Sequence, residues 1–160
     1  MAHTKQHSCE LRKGRYSQPG NYYFLTTAVA NRRRIFAASD HAVVVLDSIR
    51  WLDSARQFIV DAAVVMPDHL HFVGQLGDST LARVMHSLKS FSANKLAAAG
   101  VSSPVWQDGY HDHGLRKDEG YRARVAYVLQ NPLRARLVQR LEDYPHMILP
   151  IWWRSDERMD

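Results

Sequence analysis

A single cysteine, Cys9, among 160 residues excludes an internal disulfide and any cysteine-based zinc cluster, and points to a reducing setting, the cytoplasm. No apolar run approaches the roughly 20 residues of a membrane-spanning helix, and the polar opening over residues 1–13 has no apolar core of the kind a secretion signal carries. A soluble protein of the cytoplasm with no membrane partner is therefore expected. Internal repeats and low-complexity tracts are missing too. So are the glycine patterns that cradle a nucleotide phosphate or a dinucleotide, and no nucleotide cofactor is expected.

Acid is comparatively scarce. The chain carries 21 Lys and Arg against 16 Asp and Glu, net +5, with a pI near 9.6. Residues 1–36 hold Lys5, Arg12, Lys13, Arg15, Arg32, Arg33 and Arg34 against Glu10 alone. Residues 116–140 hold Arg116, Lys117, Arg122, Arg124, Arg134, Arg136 and Arg140 against Asp118 and Glu119. Two basic blocks flanking an acidic remainder suit a polyanionic partner better than general solubility does. Of these, Arg12, Arg15, Arg32, Arg33, Arg34, Arg116, Arg122 and Arg124 are the candidates for tracking phosphates.

The length and the 46% hydrophobic content suit one domain with a real core. Three parts are expected: a flexible basic arm over 1–20, a catalytic domain over 21–146 and a tail over 147–160. Aromatic and β-branched residues at 22–30 predict a first strand. A helix follows from Ser39 or Asp40, either a suitable N-cap, to about residue 56, with Val44, Val45, Ile49 and Leu52 at helical spacing. Residues 58–66 and 69–76 predict a hairpin around the turn Pro67-Asp68. A second helix spans about 81–99, striped by Leu81, Val84, Met85, Leu88, Phe91 and Leu96. A fourth strand is expected over 105–115, a third helix over 118–130, and a continuation after Asn131-Pro132 over 133–142. The order β-α-β-β-α-β-α predicts an α+β fold: the ferredoxin-like split arrangement, a four-stranded antiparallel sheet with an added C-terminal helix.

Chemistry concentrates at Met66-Pro67-Asp68-His69-Leu70-His71-Phe72. On a strand, His69 and His71 share one face while Leu70 and Phe72 share the other. Paired imidazoles form half of a divalent-metal site. Tyr127 and Asn131, four apart on a helix, also share a face. A tyrosine can serve as a covalent nucleophile, and an asparagine carbonyl oxygen suits a hard cation. If that helix packs beside the third strand, His69, His71 and Asn131 become three ligands for Mg²⁺ or Mn²⁺, with Tyr127 one turn away. Taken singly, a His-x-His pair, a helical tyrosine and an Asn-Pro step are ordinary structural features. Their conjunction with the basic blocks carries the reading.

Met66–Phe72 resembles the His-hydrophobic-His signature of the HUH single-tyrosine transposases, and the run Tyr127–Val138 resembles their nucleophile helix. Trp106-Gln107, the block Tyr110–Arg116 and Asp143-Tyr144-Pro145 are similar to one branch, the REP-associated tyrosine transposases, over roughly residues 15–146. The resemblance implies an HUH fold, binding of single-stranded or hairpin DNA from palindromic repeats, and metal-dependent strand cleavage and rejoining through a 5′-phosphotyrosine. It implies Tyr127 as nucleophile and His69, His71 and Asn131 as metal ligands. Gly14-Arg15-Tyr16 departs from the Gly-Thr-Trp-Tyr of some relatives and leaves the subgroup and the DNA target open, while the kink at Asn131-Pro132 leaves open monomer against a homodimer with exchanged helices. Tyr22, Tyr23 and Tyr110 are expected to be packing residues. His111 and His113 repeat the i, i+2 pattern, with structural or DNA-contact roles implied. The Trp152-Trp153 pair asks for burial. Two alternatives remain: another HUH endonuclease, such as a replication initiator or relaxase, and a non-catalytic DNA-binding module on the same sheet.

Overall fold

The computed structural model describes residues 17–153, so most of the basic arm, including Arg12 and Arg15, lies outside the described residues. Ser17–Gly20, assigned by sequence to the flexible arm, are tied to the body. The Ser17 hydroxyl accepts from the Leu81 amide, and the Gly20 amide donates to the Leu76 carbonyl.

Five strands pair antiparallel in the order β4-β1-β3-β2-β5. They are β1 (Tyr22–Ala28), β2 (Phe58–Met66), β3 (His69–Leu76), β4 (His111–Leu115) and β5 (Met147–Ile148). The helices are α1 (Ser39–Ser54), α2 (Leu81–Ala98), α3 (Tyr121–Leu129) and the single turn α4 (Asn131–Arg134). The first four strands with α1 and α2 make the expected split ferredoxin-like unit. The fifth strand was not anticipated. It forms because the segment after α4 is strapped to β2: the Tyr144 hydroxyl donates to the Val65 carbonyl at 2.5 Å, and the Val65 amide donates to the His146 carbonyl at 3.0 Å.

Several expected boundaries are corrected. The fourth strand begins at His111, not near 105. Val105 and Trp106 instead dip into the core, where Trp106 bridges to Val29 and its indole N–H donates to the Ser92 hydroxyl at 2.9 Å. Residues 118–120 are a turn before α3, closed by the Asp118 carboxylate accepting from the Gly120 amide. The helical run expected over 133–142 stops at Arg134, because the chain turns left-handed at Arg136 (φ 57°). Ala38, not Ser39 or Asp40, is the N-cap of α1. Phe91 is not a core residue: its ring lies at the surface under the Lys95 ammonium.

The sheet has two apolar faces, and each is covered. Leu25, Phe58, Val65, Leu70, Phe72 and Leu76 pack beneath α1 and α2. Ala62, Val64, Met66 and Val73 pack beneath Tyr121, Val125 and Leu129 of α3. Strict alternation along β2 would put Phe58, Val60, Ala62 and Val64 on one face. A bulge between Val60 and Ala62 resets the alternation, so that Phe58 faces α1 and α2 whereas Ala62 and Val64 face α3. The residue within the bulge, Asp61, accepts a short hydrogen bond from the Tyr121 hydroxyl. Opposite the bulge, Gly74 lets the backbones approach closely. A Cβ at position 74 would run into the Ile59 carbonyl and the Phe58 ring.

Gly74→Val is therefore expected to lower stability by about 1–3 kcal/mol, read as a lower denaturant midpoint. An unchanged midpoint would show that the bulge is not closely packed.

Candidate active site

The period of two along β3, with Leu70 and Phe72 both at 0% exposure under α1 and α2, turns His69 and His71 toward the face that α3 covers. Their rings stand nearly perpendicular, with centroids 4.6 Å apart. Each uses its Nδ1 on a neighbour. The His69 Nδ1 lies 2.7 Å from the Asp68 carboxylate, and that carboxylate also pairs with the Arg32 guanidinium at 3.1 Å. The His71 Nδ1 lies 2.7 Å from the Thr26 hydroxyl, which the β1–β3 register places directly opposite. In both rings Nε2 is left as the atom able to bind a cation.

Electrostatics keep this pair suited to coordination. Burial, followed by the charges of His69, Arg134 and Arg32, pushes His71 down to about 4, so the ring is neutral at ordinary pH. Burial alone would raise the Asp68 carboxyl. The His69 hydrogen bond, with the charges of His69 and Arg32, outweighs that and holds it below its ordinary value.

On the helical side, Tyr121, Val125 and Leu129 anchor α3 to the sheet, while Tyr127 points away from that contact and is 64% exposed. The Arg134 guanidinium stacks on the Tyr127 ring at 3.8 Å from its centroid. The charge of Arg134 also reaches His71, whose titration it depresses. The Asn131 amide nitrogen donates to the Val128 carbonyl at 2.7 Å, which leaves its carbonyl oxygen as the side chain's acceptor. A cavity of about 350 Å³ lies beside the helix. Phe24 and Val73 form part of its floor and Tyr127 part of its wall. Phe24 also contacts the His71 ring, centroids 5.3 Å apart. The structure thus brings His69, His71 and the Tyr127–Asn131 helix to one face of one sheet.

The arginines expected to track DNA divide. Arg124 lines the cavity beside Tyr127, and Arg32 stands by Asp68 and His69. Arg122 lies over the Trp152 ring at 5.0 Å, while Arg116 is exposed just beyond β4. Arg34 lies close enough to the Tyr144 phenol for its charge to oppose the rise, to about 12, that burial causes there. Arg33 is occupied by the protein itself, donating to Ser102 and to the carbonyls of Ala30 and Pro104. The expected packing tyrosines behave as such. Tyr23 is buried and Tyr110 packs against the core. Tyr22 meets Tyr121 edge-on and accepts from the Lys117 ammonium at 3.1 Å. The Trp152-Trp153 pair packs at the edge of the α3 cluster.

Three residues at the site went unassigned in the sequence reading. Asp68 was legible as a candidate, since a carboxylate next to a histidine is a natural partner for its Nδ1. Thr26 was not, because its relation to His71 is a matter of register between distant strands. Arg134 was visible only as one base in a block of several.

Comparison with known proteins places this geometry. A family model described as "Transposase IS200 like" matches residues 17–128. A REP-associated tyrosine transposase of Escherichia coli K12 is 26% identical over 153 residues, which cover 89% of this chain and 90% of the relative. A putative REP-associated tyrosine transposase of Haemophilus influenzae is 22% identical over 139 residues, covering 79% and 78%. Among solved structures, a REP-associated tyrosine transposase bound to a REP hairpin superposes with TM-score 0.71 at 25% identity, over 91% of this chain and 84% of that one. A putative transposase from Deinococcus radiodurans shares the fold, with TM-score 0.50 at 23% identity over 74% of this chain and 95% of that one.

The neutral state of His71 has a thermodynamic consequence. Its folded value of about 4 lies below the unfolded 6.5, so the unfolded chain takes up the proton first as pH falls. Stability present above about 6.5 should decline toward 4, and in Thr26→Val, His71→Gln this contribution should vanish relative to Thr26→Val alone. An NMR titration of the His71 ring with a midpoint near 6.5 would contradict this.

Proposed function

The chain belongs to the IS200-like transposase family, and from that premise we propose that it cleaves and rejoins DNA at REP-type hairpins through a 5′-phosphotyrosine on Tyr127. The observation that carries the reading is the placement of the paired histidines and the Tyr127–Asn131 helix on one sheet face, with Arg134 stacked on Tyr127 and within electrostatic reach of His71. A relative solved with a REP hairpin has the same fold over most of this chain, which supports a hairpin with adjacent single strand as the substrate. A bacterial cytoplasm, at the nucleoid, is the matching place of action, and no described helix is long and apolar enough to cross a membrane.

Transposases of HUH type are in general metal-dependent. The donor set here fits a divalent cation: two imidazoles whose Nδ1 atoms are engaged, and an amide whose nitrogen is engaged. His69, His71 and Asn131 would hold Mg²⁺ or Mn²⁺, since imidazole and amide oxygen leave positions open for phosphate oxygens. Bound there, the cation supplies charge neutralisation to the scissile phosphate. Among the described residues no group of three His, Cys, Asp or Glu could hold a metal, and the third ligand in this reading is Asn131.

The chain's own residues do the rest. Thr26 and Asp68 hold the two rings in place, and Arg32 holds Asp68. The Tyr127 phenol oxygen attacks phosphorus, losing its proton as the new O–P bond forms. The bond to the neighbouring 3′-oxygen breaks, releasing a 3′-hydroxyl. Attack of a second 3′-hydroxyl on the phosphotyrosine reverses the exchange, so no ATP is consumed. Arg134 restrains the Tyr127 ring and adds positive charge where the phosphoryl oxygens carry negative charge. Arg32 and Arg124 give the strand its phosphate contacts, which makes binding salt-dependent.

Incubation with Mg²⁺ or Mn²⁺ and a 5′-extended REP hairpin should yield an SDS-resistant protein–DNA adduct. Tyr127→Phe should abolish it, and His69→Ala should abolish it while sparing much of the DNA affinity. An adduct persisting in Tyr127→Phe would remove Tyr127 from the mechanism. Tight binding with neither adduct nor metal dependence would mark a binding module instead. Arg134→Gln should slow adduct formation on the order of 10²-fold with a far smaller change in affinity, and Arg134→Lys should recover part of the rate. Equal loss of rate and affinity would make Arg134 a plain DNA contact.

A further inference from the structure

We propose that the cavity between α3 and the β4-β1-β3 part of the sheet receives one unpaired nucleobase, that of a nucleotide flanking the phosphate attacked by Tyr127. The proposal rests on the reading of Tyr127 as nucleophile and goes beyond it, because it assigns a recognition role to the sheet floor beside that nucleophile.

The cavity, about 350 Å³, has a floor of Phe24, Val73 and Leu115 and a helical wall of Tyr127 and Val128. The floor is one continuous patch: the register sets Phe24 opposite Val73 on one side and opposite His113 on the other. A largely apolar cavity of this volume falls at the lower end of the range that ligand pockets occupy. Its chemistry selects among ligands. Three rings border it, those of Phe24, Tyr127 and His113, and flat rings favour a flat π-system. Arg124 lines it and Arg134 stacks on its Tyr127 wall, while no carboxylate lines it at all. A planar, polar-edged group attached to a phosphate satisfies rings and cations together, whereas an aliphatic chain would leave the cations without purpose.

Position then names the nucleotide. Tyr127 is part of the wall, so a strand whose phosphate lies at the phenol oxygen carries its neighbouring base to the cavity mouth. That base is available, because a strand extended beside a hairpin is unpaired and its bases are free to turn outward. His113 borders the cavity and would meet the edge of the base, while Arg124 keeps to the phosphate, which gives the exposed histidine block of β4 a role in reading DNA.

The test pairs abasic scanning with a variant that fills the cavity. Ala123 lines the cavity yet is exposed on α3, so Ala123→Trp occupies the space without touching the core, and Ala123→Met is a milder second variant. Affinity is measured in Tyr127→Phe without metal, on 5′-extended REP hairpins carrying one abasic site at successive positions beside the hairpin. Adduct yield is measured in parallel with otherwise wild-type protein. At one position the abasic site should weaken binding by roughly 5- to 150-fold. Ala123→Trp should lose a similar factor on intact DNA and nothing further at that position, with Ala123→Met between. An adduct that forms normally while no position shows a penalty that Ala123→Trp removes would overturn the base site and leave Tyr127 as nucleophile. A single-position penalty with no adduct on any oligonucleotide would sustain the base site and overturn the nucleophile.

Discussion

Helix α3 is held to the sheet by a small apolar contact, and every property of the site depends on that contact. Tyr121, Val125 and Leu129, all nearly or fully buried, sit on Ala62, Val64, Met66 and Val73. Burial of each large side chain contributes about 1.5–3 kcal/mol, enough to dock a helix of nine residues that would not persist alone in water. The hydrogen bond from Tyr121 to Asp61 fixes where along the sheet the helix rests. Asp61 sits within the bulge of β2. Without the bulge Ala62 and Val64 would turn toward α1, and Ala63 and Val65 would face the helix in their place.

The two halves of the site have opposite physical requirements, and the fold meets them on opposite sides of one cleft. Imidazoles that bind a cation must be neutral and fixed. His71 is pressed against Phe24, tied to Thr26 and kept uncharged by burial. A nucleophile that attacks a long polyanion must be reachable, and Tyr127 is among the most exposed large side chains described. A buried tyrosine such as Tyr121 cannot serve, since burial and the neighbouring Asp61 carboxylate raise its phenol far above the ordinary range. The stack of Arg134 restrains the exposed ring at little energetic cost, since such contacts are worth about 0.5–1 kcal/mol at the surface.

Much of this frame was legible in local patterns. The hairpin of β2 and β3 matches its expected bounds, 58–66 and 69–76, because β-branched runs flank a single Pro-Asp turn. The common face of His69 and His71 needed only the period of a strand. What was not legible depended on contacts distant in sequence. The fifth strand exists because Tyr144 reaches Val65. Val105 and Trp106 read as strand, yet a ring packed on Phe36 and an indole bonded to Ser92 draw them into the core. Arg33 read as a DNA contact but is spent on carbonyls of the 102–104 loop. The bulge leaves no local signature beyond Gly74, fifteen residues along the chain from the carbonyl it accommodates.

The break after α3 shows how a local sequence signal becomes a functional geometry. Pro132 is buried and begins a separate turn of helix, so the residues beyond it do not continue the line of α3. A straight helix would place residue 134 seven positions after Tyr127, two turns further along the same face. With the axis interrupted at 130–131, the Arg134 side chain folds back over the Tyr127 ring instead, within electrostatic reach of His71. The same interruption frees the Asn131 side chain to bond backward to Val128, turning its carbonyl oxygen into the remaining polar atom. The proline step therefore acts on three groups together: it ends the helix that carries the tyrosine, orients an amide, and stacks a cation on the tyrosine within electrostatic reach of the imidazole.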